Sequence, residues 1–197
     1  MENKSFSLEE LNSLTLDPGH VFFTSDTNFL DVNDEHNDGR FNSWNYLLIE
    51  KWNNVVGPDD VVFHLGDFCE GGQSLWESIL SRLNGHIYLV LGECDNLSIV
   101  RNVSHLFEGV SYQMMVEIKG QEIILNHYPF HFDKDDSRWQ LFGHIGSEPD
   151  SFEDLMGSMV PNQFDVGMSN NDWAPVAFEV VKYRISQQAR LYVKRNG

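Results

Sequence analysis

Along the chain, short apolar runs of strand length alternate with segments whose apolar residues recur at helical spacing. Val21–Thr24, Val61–Leu65 and His86–Leu91 read as strands. Ser43–Val56 places Trp44, Leu47, Leu48 and Trp52 on one helical face with Ser43 as its cap. Ser74–Leu83 repeats that pattern until Asn84-Gly85 stops it, and Leu97–Val103 predicts a short helix. After Gly109 the rhythm changes. Tyr112–Ile118 and Glu122–Asn126 predict hairpin arms around Lys119-Gly120-Gln121, and Gln140–Phe142 and Gln163–Val166 predict further short strands. From Val176 onward the pattern fits a helix and a strand equally. Residues 1–19 form a leading segment that closes on the turn signal Asp17-Pro18-Gly19. No repeat or linker divides the chain, so one domain is expected over residues 1–197. Strand–helix units followed by hairpins predict an α/β fold of two packed sheets flanked by helices.

The residues just past each apolar run carry the chemistry. The first strand ends in Thr24-Ser25-Asp26, the second in Leu65-Gly66-Asp67 and the third in Gly92-Glu93-Cys94-Asp95. Two later strands end in Asn126-His127-Tyr128-Pro129 and Gly143-His144-Ile145-Gly146. Ligands bind at the carboxyl edge of open α/β sheets. Carboxylates and imidazoles converging there are the ligand set of a divalent cation. A strand-terminal Asp alone is more often a turn residue, and a single His more often a structural group. Five in register are harder to explain that way.

These stretches resemble the calcineurin-type metallophosphoesterase family, especially its small bacterial and phage members. The resemblance runs through Phe22–Asp26, Trp52-Asn53, Val61–Phe68, Leu83-Asn84-Gly85, Leu125–Pro129, Phe142-Gly143-His144, Asp165-Val166-Gly167 and Pro175-Val176, in the family's order over roughly residues 20–180. It implies a four-layer α/β/β/α sandwich, two mixed sheets flanked by helices, with a bimetal centre at one edge. The departures fall unevenly. Asp26-Thr27-Asn28 stands where the family reads Asp-x-His, and Asp31 replaces a second His of that motif. Gly92-Glu93-Cys94-Asp95 replaces Gly-Asn-His-Asp, and Gly143-His144-Ile145-Gly146 replaces Gly-His-x-His.

The resemblance implies one cation held by Asp26, Asn28, Asp67 and position 146, where two imidazoles are missing. It implies another held by Asp67, Glu93, His127 and His144, where a carboxylate at 93 is a good hard-metal ligand. One well-formed and one weak position are therefore expected, for manganese, zinc, iron or nickel. Cys94, followed by Asp95, occupies the place of a catalytic His. Its thiol has three open readings: a proton donor, a soft-metal ligand, or an inert buried group. Arg40 is the candidate phosphate contact, against a plain surface ion pair. His64 reads as packing or support. His20, His36, His86, His105 and His131 show no ligand spacing.

The expected activity is metal-dependent hydrolysis of a small phosphomonoester or phosphodiester. The alternative is a catalytically inactive relative with a binding or regulatory role. Composition narrows the partners. Thirteen basic against thirty acidic residues give a formal charge of −17, so long nucleic acids should bind poorly. No run approaches the roughly 20 apolar residues of a membrane span, and the polar start is no secretory signal. With two cysteines there is no disulfide framework, and a reducing cytoplasm is expected.

Overall fold

The computed structural model describes residues 16–30, 43–133, 135–145 and 160–196. Strands β1 (Val21–Thr24), β2 (Val61–His64), β3 (His86–Val90) and β4 (Gly109–Ser111) run parallel, and β9 (Val176–Ala177) joins antiparallel. Their order is β4-β3-β2-β1-β9. Successive strand residues point to opposite faces, and here both faces are buried. Phe23, Phe63, Tyr88 and Val90 face a second sheet, whereas Phe22, Val62, Ile87 and Leu89 face helices. That is why these strands read as unbroken apolar runs.

The helix side is built by α1 (Ser43–Asn53), α2 (Gln73–Leu80) and α3 (Leu97–Val103). They bury Leu48, Ile49 and Trp52, then Trp76 and Ile79, then Val100 and Val103. Helix α1 ends three residues before the predicted Val56. The amides of Val55 and Val56 both bond Trp52 O in a turn, at 3.1 and 2.9 Å. The Trp52 indole donates to Asn84 O at 2.9 Å, tying that turn to the Asn84-Gly85 stop.

The second sheet has the order β5-β6-β7-β8, from Gln113–Ile118, Gln121–Asn126, Trp139–Phe142 and Gln163–Asp165. The predicted hairpin forms, with Ile118 opposite Gln121 across Lys119-Gly120. Both turn residues have positive φ, 51° and 79°, as a two-residue hairpin turn requires. Strand β4 was not predicted; three residues offer no alternation to read. The ambiguous tail becomes β9 followed directly by α4 (Phe178–Asn196). Phe178, Val181 and Ile185 enter the inter-sheet core at helical spacing, while Val180, Tyr183, Leu191 and Val193 stay exposed. Apolar residues on both sides of α4 blur its period. The protein is thus α/β, with two mixed sheets and four helices among the described residues. No described helix is long and apolar enough to cross a membrane.

Candidate metal centre at the strand ends

Level strands bring their terminal loops together. β1 pairs with β2 from Val21↔Val61 to Thr24↔His64, and β2 with β3 from Val61↔His86 to His64↔Leu89. Beyond the strands the backbone stays zipped. Leu65 N donates to Thr24 O, Asp26 N to Gly66 O and Asn28 N to Asp67 O, at 2.7, 2.9 and 3.0 Å. Gly143 N to His127 O, at 2.9 Å, zips the ends of β6 and β7 in the second sheet in the same way. Asp26, Asn28, Asp67 and His144 all adopt positive φ, 56°, 41°, 57° and 71°. Left-handed backbone is uncommon for non-glycine residues, and Asn, Asp and His tolerate it best. Such conformations cluster where side chains are aimed for use.

Asp67, His127 and His144 present ligand atoms all within 4.8 Å of one another, as do Asp67, Glu93 and Cys94. His127 Nε2 lies 3.5 Å from Asp67 Oδ2, and His144 Nδ1 lies 3.6 Å from Glu93 Oε1. Of the expected set, Asp67, His127 and His144 therefore meet in one triad, whereas Glu93 joins Asp67 and Cys94 in a second that shares Asp67. His127 Nδ1 contacts Leu65 O at 2.8 Å. A carbonyl only accepts, so Nδ1 carries the proton and Nε2 exposes its lone pair. That Nε2 is buried without a hydrogen-bond partner, and so is Asn28 Oδ1. Two orphaned acceptors beside buried carboxylates fit a cation, because each would otherwise bear a desolvation cost.

Glycines leave room for the carboxylates. A Cβ on Gly66 would stand 2.6 Å from His127 Nδ1, and one on Gly143 2.5 Å from Asp26 Oδ2. A Cβ on Gly92 would collide with Asp67, at both its amide and its Oδ1. Gly92→Ala should cost about 1–3 kcal/mol in urea unfolding and weaken cation binding, since Asp67 must move. Unaltered binding would mean the cradle does not set the position of Asp67.

Asp95 is a clamp. Its Oδ1 accepts from Phe68 N at 2.8 Å, and its Oδ2 from Asp67 N at 3.1 Å and Gly92 N at 2.9 Å. It thereby fixes the backbone of Asp67. Asp26 accepts the Ser25 hydroxyl at 2.5 Å and the His144 amide at 3.1 and 3.0 Å. Burial nevertheless pushes the Asp26 and Asp95 carboxyls above their ordinary values. His64 is fully buried; Thr27 Oγ1 donates to Phe68 O at 2.7 Å and accepts a hydrogen bond from His64 Nε2–H at 3.0 Å. Burial lowers His64 to about 3, so it supports the first loop as a neutral ring.

Asp165, part of a matching stretch in the sequence but given no role there, lies beside this site. A Cβ on Gly167 would be 2.9 Å from Asp165 Oδ1 and 3.2 Å from Asp26 Oδ2. Burial first, and the Asp26 charge last, push Asp165 up to about 6 from 3.8. A raised folded value makes the protonated form the stabilising one. That contribution is complete below pH 3.8 and is lost as pH rises through about 6. Without metal, Asp165 should therefore subtract up to about 3 kcal/mol of stability across that window. Asp165→Asn should abolish this slope in unfolding free energy, and parallel profiles for the two proteins would exclude it.

Cys94 donates its amide to Asp67 Oδ1 at 2.9 Å. Loss of solvent around the sulfur, then the Asp67 charge, push the thiol up to about 12. That is a poor match to a proton donor at neutral pH. Tyr128, which sequence reasoning passed over, donates its hydroxyl to Glu93 Oε2. This bond holds Glu93 below the usual carboxylate range and pushes Tyr128 up to about 12. The Tyr128 ring lies 4.5 Å from the His144 ring. Its place next to His127 was the available signal. Of the histidines given no role, His20 bonds Asp60 at 2.5 Å and His86 bonds Glu108 at 3.0 Å. Asp31, His36, Arg40 and Gly146 lie outside the described residues.

No protein-family model matches the chain, and no curated protein matches it. Among solved structures, the crystal structure of the protein of unknown function AQ665 from Aquifex aeolicus is similar. The two share a TM-score of 0.63 and 21% sequence identity, over 83% of this chain and 97% of that one. At that identity the likeness is one of fold: the two-sheet α/β scaffold that levels these strand ends is shared.

Proposed function

We propose that this protein is a metal-dependent phosphoesterase with a metallophosphoesterase-type four-layer sandwich, hydrolysing a small phosphomonoester or phosphodiester. The observation that carries this reading is the triad Asp67, His127 and His144, within 4.8 Å, with His127 Nε2 buried and unpartnered. These three, with Glu93, would hold a divalent cation: manganese, zinc, iron or nickel. Asp26 and Asn28, with Asp67, would offer a weaker second position. Such a cation polarises a phosphoryl oxygen and lowers the pKa of bound water. The chain's own groups do the positioning. Leu65 O fixes the His127 tautomer, the Asp26 carboxylate fixes the His144 backbone, and Asp95 fixes the Asp67 backbone. A substrate phosphate would be attracted locally, against a chain of net charge −17. Both cysteines are free, as a reducing cytoplasm would keep them.

The test is a panel of phosphomonoesters, phosphodiesters and nucleotides assayed after chelation and then with manganese, zinc or nickel restored. Turnover that chelation abolishes and one metal restores is expected. Turnover indifferent to chelation would overturn the proposal.

One observation favours a second reading, a non-catalytic relative: position 94 bears a thiol held near 12 where an imidazole is expected to act. Under that reading the wild type is inert with every metal, and the combined Asn28→His, Cys94→His and Gly146→His variant gains hydrolysis. Brisk wild-type turnover would exclude it.

A further inference from the structure

We propose that Cys94, Glu93 and Asp67 form a thiolate-containing position for a thiophilic divalent cation of the zinc class, joined through Asp67 to the His127–His144 position. The inference rests on the metal-dependent reading above and adds a ligand to it. Three features carry it. The Cys94 sulfur, a Glu93 oxygen and an Asp67 oxygen lie within 4.8 Å of one another, close enough to meet on one ion. The Asp67 carboxylate faces both ways: Oδ1 accepts the Cys94 amide, while Oδ2 stands 3.5 Å from His127 Nε2. Glu93 reaches the other triad directly, its Oε1 lying 3.6 Å from His144 Nδ1 while Oε2 takes the Tyr128 hydroxyl. The two triads are therefore one continuous cluster.

The shared Asp67 also faces a side-chain atom that lacks a partner, on His127. Its side chain is 1% exposed, and its Nε2 has no hydrogen-bond partner yet points at the shared Asp67. The donor chemistry sets the class of ion. Thiolate with carboxylate suits zinc, whereas magnesium, calcium and manganese prefer all-oxygen sets. On binding, the Cys94 S–H bond breaks, its proton passes to solvent and the sulfur lone pair goes to the metal. No redox partner is needed.

The test titrates the metal-free full chain with cobalt(II), an absorbing substitute for zinc, under argon. A near-ultraviolet sulfur-to-cobalt charge-transfer band is expected, lost entirely in Cys94→Ser and retained in Cys69→Ala. Cys69 is 1% exposed and lies in the helix-side core. Visible cobalt bands without the charge-transfer band would overturn this inference and leave the His127–His144 reading standing. Absence of any cobalt spectrum, with no metal retained on elemental analysis, would overturn both. The wild-type spectrum decides between these outcomes even if a variant fails to fold.

Discussion

Asp67→Asn is expected to abolish divalent-cation binding while leaving the metal-free fold as stable as before, or more stable. Asp67 is the residue common to both triads, so its loss disables both at once. Metal-borne charge stabilisation is worth several kcal/mol, so the proposed hydrolysis should fall by roughly 10³-fold. The effect on stability comes from the charges. Asp67 raises the proton affinity of Asp26, Asp95 and Cys94, which means its carboxylate is repelled by the neighbours it was placed beside. Asparagine keeps an oxygen for the Cys94 amide, now accepted at 2.9 Å, and tolerates a φ of 57°. Only the charge goes. Calorimetric titration and thermal unfolding with and without metal check this: the wild type should gain stability from the ion and the variant should not. A variant that still shifts on metal addition would remove Asp67 from the centre of the site.

Asp95→Ala should be the most destabilising single change at the site, by roughly 3–5 kcal/mol. Three amides, from Asp67, Phe68 and Gly92, lose their acceptor inside the fold. Each buried donor left unsatisfied costs about 1–3 kcal/mol, and relief of a buried charge returns part of that sum. Against a typical total of about 5–15 kcal/mol, the loss is severe. Asp95→Asn should fall between, because its single oxygen serves either Phe68 or the Asp67–Gly92 pair, and its NH₂ opposes the other. Urea unfolding distinguishes the three proteins. Were both variants within about 1 kcal/mol of wild type, Asp95 would not be the clamp its hydrogen bonds make it. A general decline in cation affinity alongside stability is also expected, since the Asp67 backbone is what Asp95 holds.

Much of the fold was legible one segment at a time. The strands β1, β2 and β3 announced themselves as apolar runs because both of their faces are covered. The hairpin at Lys119-Gly120 announced itself by its turn. Strand β4 did not, being three residues whose pairing with Tyr88–Val90 is entirely tertiary. Helix α4 was hidden because exposed Tyr183 and Leu191 sit opposite buried Val181 and Ile185. Tyr128 was overlooked for a similar reason: a tyrosine beside a histidine acquires meaning only when a carboxylate 35 positions earlier lies within its reach.

By itself, the sequence determined which chemical groups stand at each strand end, because a residue's identity and its distance from an apolar run are local facts. Carboxylate, thiol and imidazole at positions 26, 67, 93, 94, 127 and 144 were therefore readable without coordinates. Only the tertiary structure decided how they divide. That His127 turns its Nε2 toward Asp67, that Asp95 serves amides and not the thiol, and that Asp67 belongs to two triads all depend on loop-to-loop hydrogen bonds between the ends of different strands. Hydrogen-bond geometry across such distances in the chain is set by how the sheets align, and no local pattern encodes it.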